Sequence, residues 1–406
     1  MDWQTTPEDS VPSTLVPGPA LLGGGLGIVG KPPVTGAWRP GDPAGSRRFL
    51  DLGAVTVRGG VLPSTRVAYE TWGELDAERS NAVLVFHALT GDSHVTGPAG
   101  PGHRTAGWWE DVVGPGRAID TDRWFVVAPN MLGGCQGTTG PSALAPDGVE
   151  WGSRFPFLTV RDQVGVQARL ADHLGIDRFA AVVGGSMGGM HALEFAVTYP
   201  ERVERLAVLS APAQTTADQI AGNSLQRAAI QMDPGYAGGD YFDAEPGDGP
   251  HRGLALARRM ALLTYRAPDE LNGRFARSWQ SDVSPLGDDG RFSVESYLDF
   301  HGNKFTRRFD ADSYLTLLHA MDSHDVGTGR GGVVPALGRV RARTLVVGIT
   351  SDRLFPLEDQ DRIAAGIPDT LDGDRATVIA SAYGHDGFLI EHEAVGRHLR
   401  RLLHDA

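Results

Sequence analysis

The apolar positions of the chain fall in short runs separated by glycine, proline and charged residues. These runs are Ala54–Val57, Arg66–Tyr69, Ala82–Phe86, Trp124–Ala128, Phe179–Val183, Leu206–Leu209, Thr344–Gly348 and Thr377–Ile379. Several are continuous instead of alternating, which predicts strands buried on both faces of a mostly parallel sheet. Between the later runs, apolar residues recur at helical spacing over Val160–Leu174 and Met187–Thr198, the second stopped by Pro200. Strand–helix alternation of this kind predicts an α/β domain with helices on both faces of the sheet.

The alternation breaks between Pro212 and Val334. Helical patterns there cover Asn223–Gln231, Gly253–Tyr265, Ser293–Phe300 and Asp310–Met321, separated by Gly, Pro and Asp clusters. Strands resume at Thr344. The simplest organisation is a core over 46–212 and 334–406 with a helical lid inserted over 213–333. Residues 1–45 are rich in Pro, Gly and Ser without a periodic apolar pattern, and predict a flexible leader.

Composition narrows the function. The 406 residues are 41% hydrophobic and 21% charged, an ordinary globular balance. No apolar stretch is long enough to span a bilayer, and no cationic residue precedes Lys31 in an acidic N-terminus. Those features predict a cytoplasmic protein without a membrane partner. Cys135 is the single cysteine, so an intramolecular disulfide and a Cys-rich metal site are excluded. A net charge of −13 argues against nucleic acid as a partner, since phosphate binding needs a clustered basic face. A small anion can still bind through a few placed arginines.

With 54 glycines, glycine-based patterns carry little weight alone. Gly25-Leu-Gly27-Ile-Val-Gly30 and Gly327-Thr-Gly329-Arg-Gly331-Gly332 both match the dinucleotide fingerprint. Neither follows a predicted strand and opens a helix, the context that brings a pyrophosphate to a helix N-terminus. Gly184-Gly185-Ser186-Met187-Gly188 is a G-x-S-x-G pattern in a better place. It lies between a buried-strand pattern and a helix, where a sharp turn lifts a serine Oγ above the sheet edge. The helix N-terminus beneath it favours negative charge.

A serine nucleophile needs a base, and the base needs an orienting acid. On this fold they follow in the order Ser, Asp, His. Asp352 follows the run Thr344–Gly348, and His385 lies after the next run, so Ser186, Asp352 and His385 form the predicted catalytic triad. Asp386 adjoins His385 but points away from it, and is reserved for substrate contact. The backbone N–H groups of Met187 and of Leu89, on the loop after the third strand, are the expected oxyanion donors. His87 and His94 on that loop are read as loop or packing residues, because no second ligand cluster accompanies them. No metal site is predicted.

Seven stretches exceed a generic hydrolase: "HALTGDSH" (87–94), "GWWEDVVGPG" (107–116), "NMLGGCQGTTGPSA" (130–143), "GGSMGGMHALEF" (184–195), "SYLDFHGNKFTRRFDADSYL" (296–315), "DSHDVGTGRGG" (322–332) and "YGHDGFL" (383–389). Together they resemble the homoserine O-acetyltransferase family over residues 48–404. The resemblance implies an α/β-hydrolase fold with a helical lid and a deep tunnel to the nucleophile. It implies acetyl transfer from acetyl-CoA to the γ-hydroxyl of L-homoserine in methionine biosynthesis, by a homodimer joined through the lid. No permanently bound cofactor is implied; acetyl-CoA is a co-substrate. Arg258 resembles the family arginine that holds the substrate, with Tyr265 further along the same helix, and Asp386 resembles the residue that holds the amino group. Arg259 stands beside Arg258, and either fits that position. Gly387 stands where the family pattern has alanine.

The residues suit this chemistry. Ser186 attacks the thioester, CoA leaves, and His385 activates the acceptor hydroxyl against acetyl-Ser186, a ping-pong course. A zwitterionic acceptor needs a cation for its carboxylate and an anion for its ammonium, which Arg258 and Asp386 can supply. Succinyl transfer, serine as acceptor and plain ester hydrolysis stay open. An acyl chain or one methylene is a matter of roughly 1–3 kcal/mol, below what motifs resolve.

Overall fold

A computed structural model describes residues 30–287 and 289–404. Most of the predicted leader, and the first glycine fingerprint except Gly30, lie outside those residues. The leader was drawn too long at its other end. Residues 35–47 are bonded to the body: Gly36 N–H donates to Phe309 O, Trp38 N–H to Cys135 O, and Thr35 Oγ1 to Asp310 Oδ1. Backbone hydrogen bonds with a distant loop leave no periodic apolar trace in the sequence.

The central sheet begins with a hairpin of β1 (Arg48–Val57) and β2 (Gly60–Trp72). It continues through β3 (Ala82–Phe86), β4 (Phe125–Pro129), β5 (Ala181–Gly185), β6 (Arg205–Leu209), β7 (Arg343–Ile349) and β8 (Thr377–Ile379). Spatial order is β1-β2-β4-β3-β5-β6-β7-β8. Only the hairpin strands run antiparallel; β4 to β8 are mutually parallel where they pair. The hairpin is much longer than its apolar runs. Its outer positions are exposed, and the run Arg66–Tyr69 marks only where β2 passes into the sheet.

The parallel strands are buried on both faces, which is why they read as continuous runs. Leu84, Phe86, Val182, Val208 and Val346 face α1 (Val160–Leu174) and α2 (Met187–Thr198). Val83, Val85, Val183, Leu209 and Val347 face the opposite way, onto Val395, Leu399 and Leu402 of the C-terminal helix His392–His404. Thr159 caps α1 through a box with Asp162, and Gly175 ends it in the left-handed region at φ 68°.

Between β6 and β7 the described residues carry α3 (Ala217–Gln231), α4 (His251–Tyr265), α5 (Pro268–Phe275), α6 (Ser293–Phe305), α7 (Ala311–Asp322) and α8 (Val333–Leu337). Helix α3 starts six residues earlier than its apolar period, because Thr216 and Gln219 form a capping box that begins it at Ala217. Helix α7 is not only cover: Tyr314, Leu317 and Leu318 are buried in the main core. Among the described residues no helix is long and apolar enough to cross a membrane.

Candidate active site

The turn from β5 to α2 is built by exclusion of side chains. A Cβ on Gly184 would lie 2.0 Å from Gly188 O, and one on Gly188 would lie 2.3 Å from Phe86 O. The turn therefore closes only with hydrogen at both positions. Ser186 sits at φ 58°, ψ −128°, strained for any residue with a Cβ. The strain is held by Ser186 N–H donating to Leu209 O at 2.9 Å, and by the Gly189 and Met190 N–H groups donating to Ser186 O.

That turn aims Ser186 Oγ at His385, whose Nε2 lies 2.7 Å away. His385 Nδ1–H donates to Asp352 Oδ2 at 2.7 Å. The other Asp352 oxygen accepts the N–H groups of Leu354 and Phe355, both at 2.9 Å, so the carboxylate is fixed at both ends. All three residues are buried. Burial alone would depress the His385 pKa, but the Asp352 charge and hydrogen bond outweigh it and raise the pKa above its ordinary value. Tyr265, Phe355 and Phe388 surround the imidazole with ring centroids 5.2–5.8 Å away.

Leu89 and Met187 are both buried. Leu89 lies outside any helix or strand, and its N–H has no acceptor among the described residues. Met187 is the first residue of α2, where the N–H has no intrahelical partner. Both amides are thus free to meet a developing oxyanion.

Arg258 stands on α4, with NH1 3.4 Å from Thr90 Oγ1, one residue beyond Leu89. Its guanidinium lies over the rings of Tyr265, at 5.4 Å, and Phe305, at 5.1 Å. No carboxylate of the described residues pairs with it, whereas Arg259 pairs with Asp299 at 2.8 Å. The two arginines are thereby distinguished: Arg258 faces the site and Arg259 is engaged within the insertion. Asp386 is not free, since Oδ2 lies 3.2 Å from Arg266 Nε.

Sequence reasoning did not include Thr90, Phe305 or Arg308. Arg308 NH1 donates to Thr90 O at 2.8 Å, and its guanidinium lies 5.4 Å from the same Phe305 ring. Thr90, Arg258, Lys304 and Arg308 line a cavity of about 210 Å³ that also reaches Asp92 and Trp108. The run "HGNKFTRR" held the signal, as cations at helical spacing, but spacing alone does not say which face turns inward.

His94 does have companions. Glu70, 24 residues earlier, and His103 join it in a buried group. The geometry does not suit a metal. The two imidazoles are stacked at 3.7 Å and 10°, so their in-plane lone pairs do not converge. His94 faces acceptors with both nitrogens, Glu70 Oε2 at 3.0 Å and Gly97 O at 3.1 Å, while His103 Nε2 already accepts Ser46 N–H. Burial lowers the His94 pKa but Glu70 raises it more, so the net shift is upward. The Cys135 thiol is buried and its pKa pushed up to about 12, which leaves it inert. Gly327–Gly332 lies between α7 and α8 and follows no strand, so it is no dinucleotide site.

Comparison with known proteins gives the fold family and the relatives of the chain. The α/β-hydrolase fold family matches residues 81–391. A homoserine O-acetyltransferase of Clavibacter michiganensis is 70% identical over 93% of this chain and 97% of its own length. The crystal structure of a homoserine O-acetyltransferase from Bacillus anthracis superposes with a TM-score of 0.80 at 27% identity, over 88% of this chain and 97% of that one. Esterase E22 superposes almost as well, with a TM-score of 0.79 at 27% identity over 88% and 99%.

Proposed function

The chain belongs to the homoserine O-acetyltransferase family of the α/β-hydrolase fold, and on that premise we propose how its residues carry out acetyl transfer to homoserine. His385 takes the Ser186 proton as Oγ attacks the acetyl thioester carbonyl of acetyl-CoA. The tetrahedral oxyanion is held by the Leu89 and Met187 amides. His385 returns the proton to the departing CoA thiolate and acetyl-Ser186 remains. The homoserine γ-hydroxyl then loses its proton to His385 and attacks the ester, releasing O-acetyl-L-homoserine and free Ser186.

One observation carries the acceptor assignment. Arg258 is a cation with no carboxylate partner among the described residues, beside Thr90, the residue after an oxyanion donor, and stacked on a ring that itself contacts His385. A plain esterase has no use for it; an amino-acid carboxylate does. Asp386 keeps one oxygen for the ammonium. For the donor, a space of about 10 Å³ is bounded by Leu89, Met190, Tyr265 and Phe355 and by the polar side chains of Gln219, Asn223 and Gln226. Its size suits a methyl group better than a succinyl chain. The helical insertion acts as the lid that keeps water from acetyl-Ser186.

Exposed Leu225 and Met232 on the α3 side, with Leu256, Leu263 and Phe300 on α4 and α6, support a homodimer through the lid. Light scattering during size-exclusion chromatography tests it, and a monomer at working concentration would refute it. A cytoplasmic location suits a biosynthetic enzyme of this type. For the reaction, intact-protein mass spectrometry after acetyl-CoA is expected to show acetylation at Ser186 that L-homoserine removes. CoA release unchanged by the acceptor would instead make the protein a thioester hydrolase.

A further inference from the structure

His87 lies outside the triad and touches no reacting atom, yet it holds one end of the oxyanion hole. Its Nδ1 lies 2.7 Å from Ala88 O. Its Nε2 lies 3.1 Å from the backbone N–H of Met131. Met131 N–H can only donate, so Nε2 must accept and the proton resides on Nδ1, which donates to Ala88 O. A neutral imidazole in that one tautomer satisfies both contacts.

Ala88 C=O and Leu89 N–H belong to the same peptide group. That group is planar, so fixing the direction of the oxygen fixes the direction of the N–H at its other end. Ala88 O accepts from two donors, His87 Nδ1 and the Gly91 N–H at 2.9 Å. On the other side, the backbone of Phe86 and His87 lies so close to Gly188 that a Cβ there would come within 2.3 and 2.9 Å. The loop is thus pressed on the nucleophile turn, and the remaining freedom is rotation of the Ala88–Leu89 peptide plane. The imidazole blocks that rotation from the side facing Met131.

We propose that His87 is a positioning residue that sets the plane of the Ala88–Leu89 peptide and so aims the Leu89 N–H at the oxyanion of the acyl-transfer steps. The inference rests on the acyl-serine mechanism above, but on neither the identity of the donor nor that of the acceptor. Burial lowers the His87 pKa, in keeping with a ring that must stay neutral. A charged ring would place N–H against the Met131 N–H.

The test uses acetyl-enzyme made from p-nitrophenyl [1-13C]acetate, an activated ester that does not depend on recognition of CoA. In wild-type protein the ester carbonyl is expected as a low-frequency infrared band, because two amides bond its oxygen. In His87→Ala the band moves to higher frequency, and kcat falls by about 10- to 100-fold with KM for both substrates within about twofold, the scale of a mispositioned donor. His87→Asn, whose amide can still donate to Ala88 O, restores most of the band and of kcat. A folded His87→Ala protein with unchanged kcat, or one whose kcat falls while the band stays fixed, overturns the proposal. So does His87→Asn with a wild-type band and the alanine variant's rate, and it does so even where the alanine variant fails to fold. Failure of acetyl-CoA or homoserine turnover with a normal band would count against the proposed function and leave this inference standing.

Discussion

Arg266, the residue after α4, and Asp386, the residue after the catalytic base, form an ion pair with Nε 3.2 Å from Oδ2. The two segments touch closely: a Cβ on Gly384 would lie 2.5 Å from Tyr265 O. The end of the helix bearing Arg258 and the loop bearing His385 are therefore tied together. On the proposed mechanism Asp386 has two jobs, one oxygen beside Arg266 bracing the loop and the other left for the acceptor's ammonium.

Asp386→Asn tests the second job, because an amide keeps the size and place of the side chain but carries no charge. The KM for L-homoserine is expected to rise by about 10-fold or more, the worth of a charge-assisted hydrogen bond. The burst of CoA release on first mixing with acetyl-CoA should keep its rate. A burst that slows as much as turnover would show that Asp386 serves only to hold the loop.

Arg258→Ala is expected to leave acetyl-Ser186 formation within a few-fold of wild type and to weaken homoserine use by about 100-fold, as for loss of a bidentate carboxylate contact. Arg258→Lys should recover only part, since lysine lacks the planar fork and the stacking on Tyr265 and Phe305. Arg259→Ala, which breaks the pair with Asp299, should leave the homoserine KM unchanged. Separate measurement of the burst and of steady-state turnover distinguishes these outcomes.

These contrasts show where the sequence was legible. The buried parallel strands and the order Ser186, Asp352, His385 could be read because continuous apolar runs and strand-end positions follow from the sheet itself. Arg258 and Arg259 could not be separated, because neighbours on a helix point about 100° apart and only packing decides which faces inward. The Glu70–His94–His103 group was hidden for another reason. It is assembled from β2 and the loop that follows β3, and no local spacing encodes a contact across a sheet edge. Residues 35–45 read as leader because their order comes from backbone bonds to Phe309 and Cys135, which composition does not register.

The raised pKa of His385 has a kinetic consequence. The base must be neutral to accept a proton, so acylation falls as pH drops through the His385 pKa. That acid limb is expected above the ordinary histidine value of about 6.5. In Asp352→Asn the limb should move to lower pH, because only the Asp386 charge then opposes burial, and the maximal rate of both half-reactions should fall by about 10⁴-fold. An acid limb that stays in place would mean that another group titrates.

Gly188→Ala is expected to be severely disruptive although it adds one methyl group. Its Cβ would meet backbone oxygens at 2.3 and 2.9 Å, and no side chain can rotate away to relieve the clash. The turn at Ser186 must open, which pulls Oγ from Nε2. Loss of turnover with a lowered Tm is the expected result. Normal activity would require the Phe86–His87 backbone to move aside without cost.

Asp312 gives a prediction about stability against pH. It lies in the first turn of α7, beside Asp310, which accepts from Thr35, Tyr241 and the Ser313 N–H. Asp312 Oδ2 is buried with no hydrogen-bond partner among the described residues. Burial, and then the Asp310 charge, raise the Asp312 pKa to about 8. The folded protein thus keeps a proton that the unfolded chain gives up near the ordinary carboxylate pKa. Between those two values the native state binds more protons than the unfolded state, so Asp312 makes stability fall as pH rises, and the fall ends above its folded pKa. Asp312→Asn cannot ionise and removes this component. The variant should match or trail wild type at pH 4 and exceed it at pH 9, with the gap growing steadily between about pH 5 and pH 7 and levelling off above pH 8. Denaturant unfolding of both proteins across that range gives the difference directly, and other titrating groups cancel in it. Parallel stability curves would place the Asp312 proton in solution at neutral pH and the burden of the buried charge elsewhere.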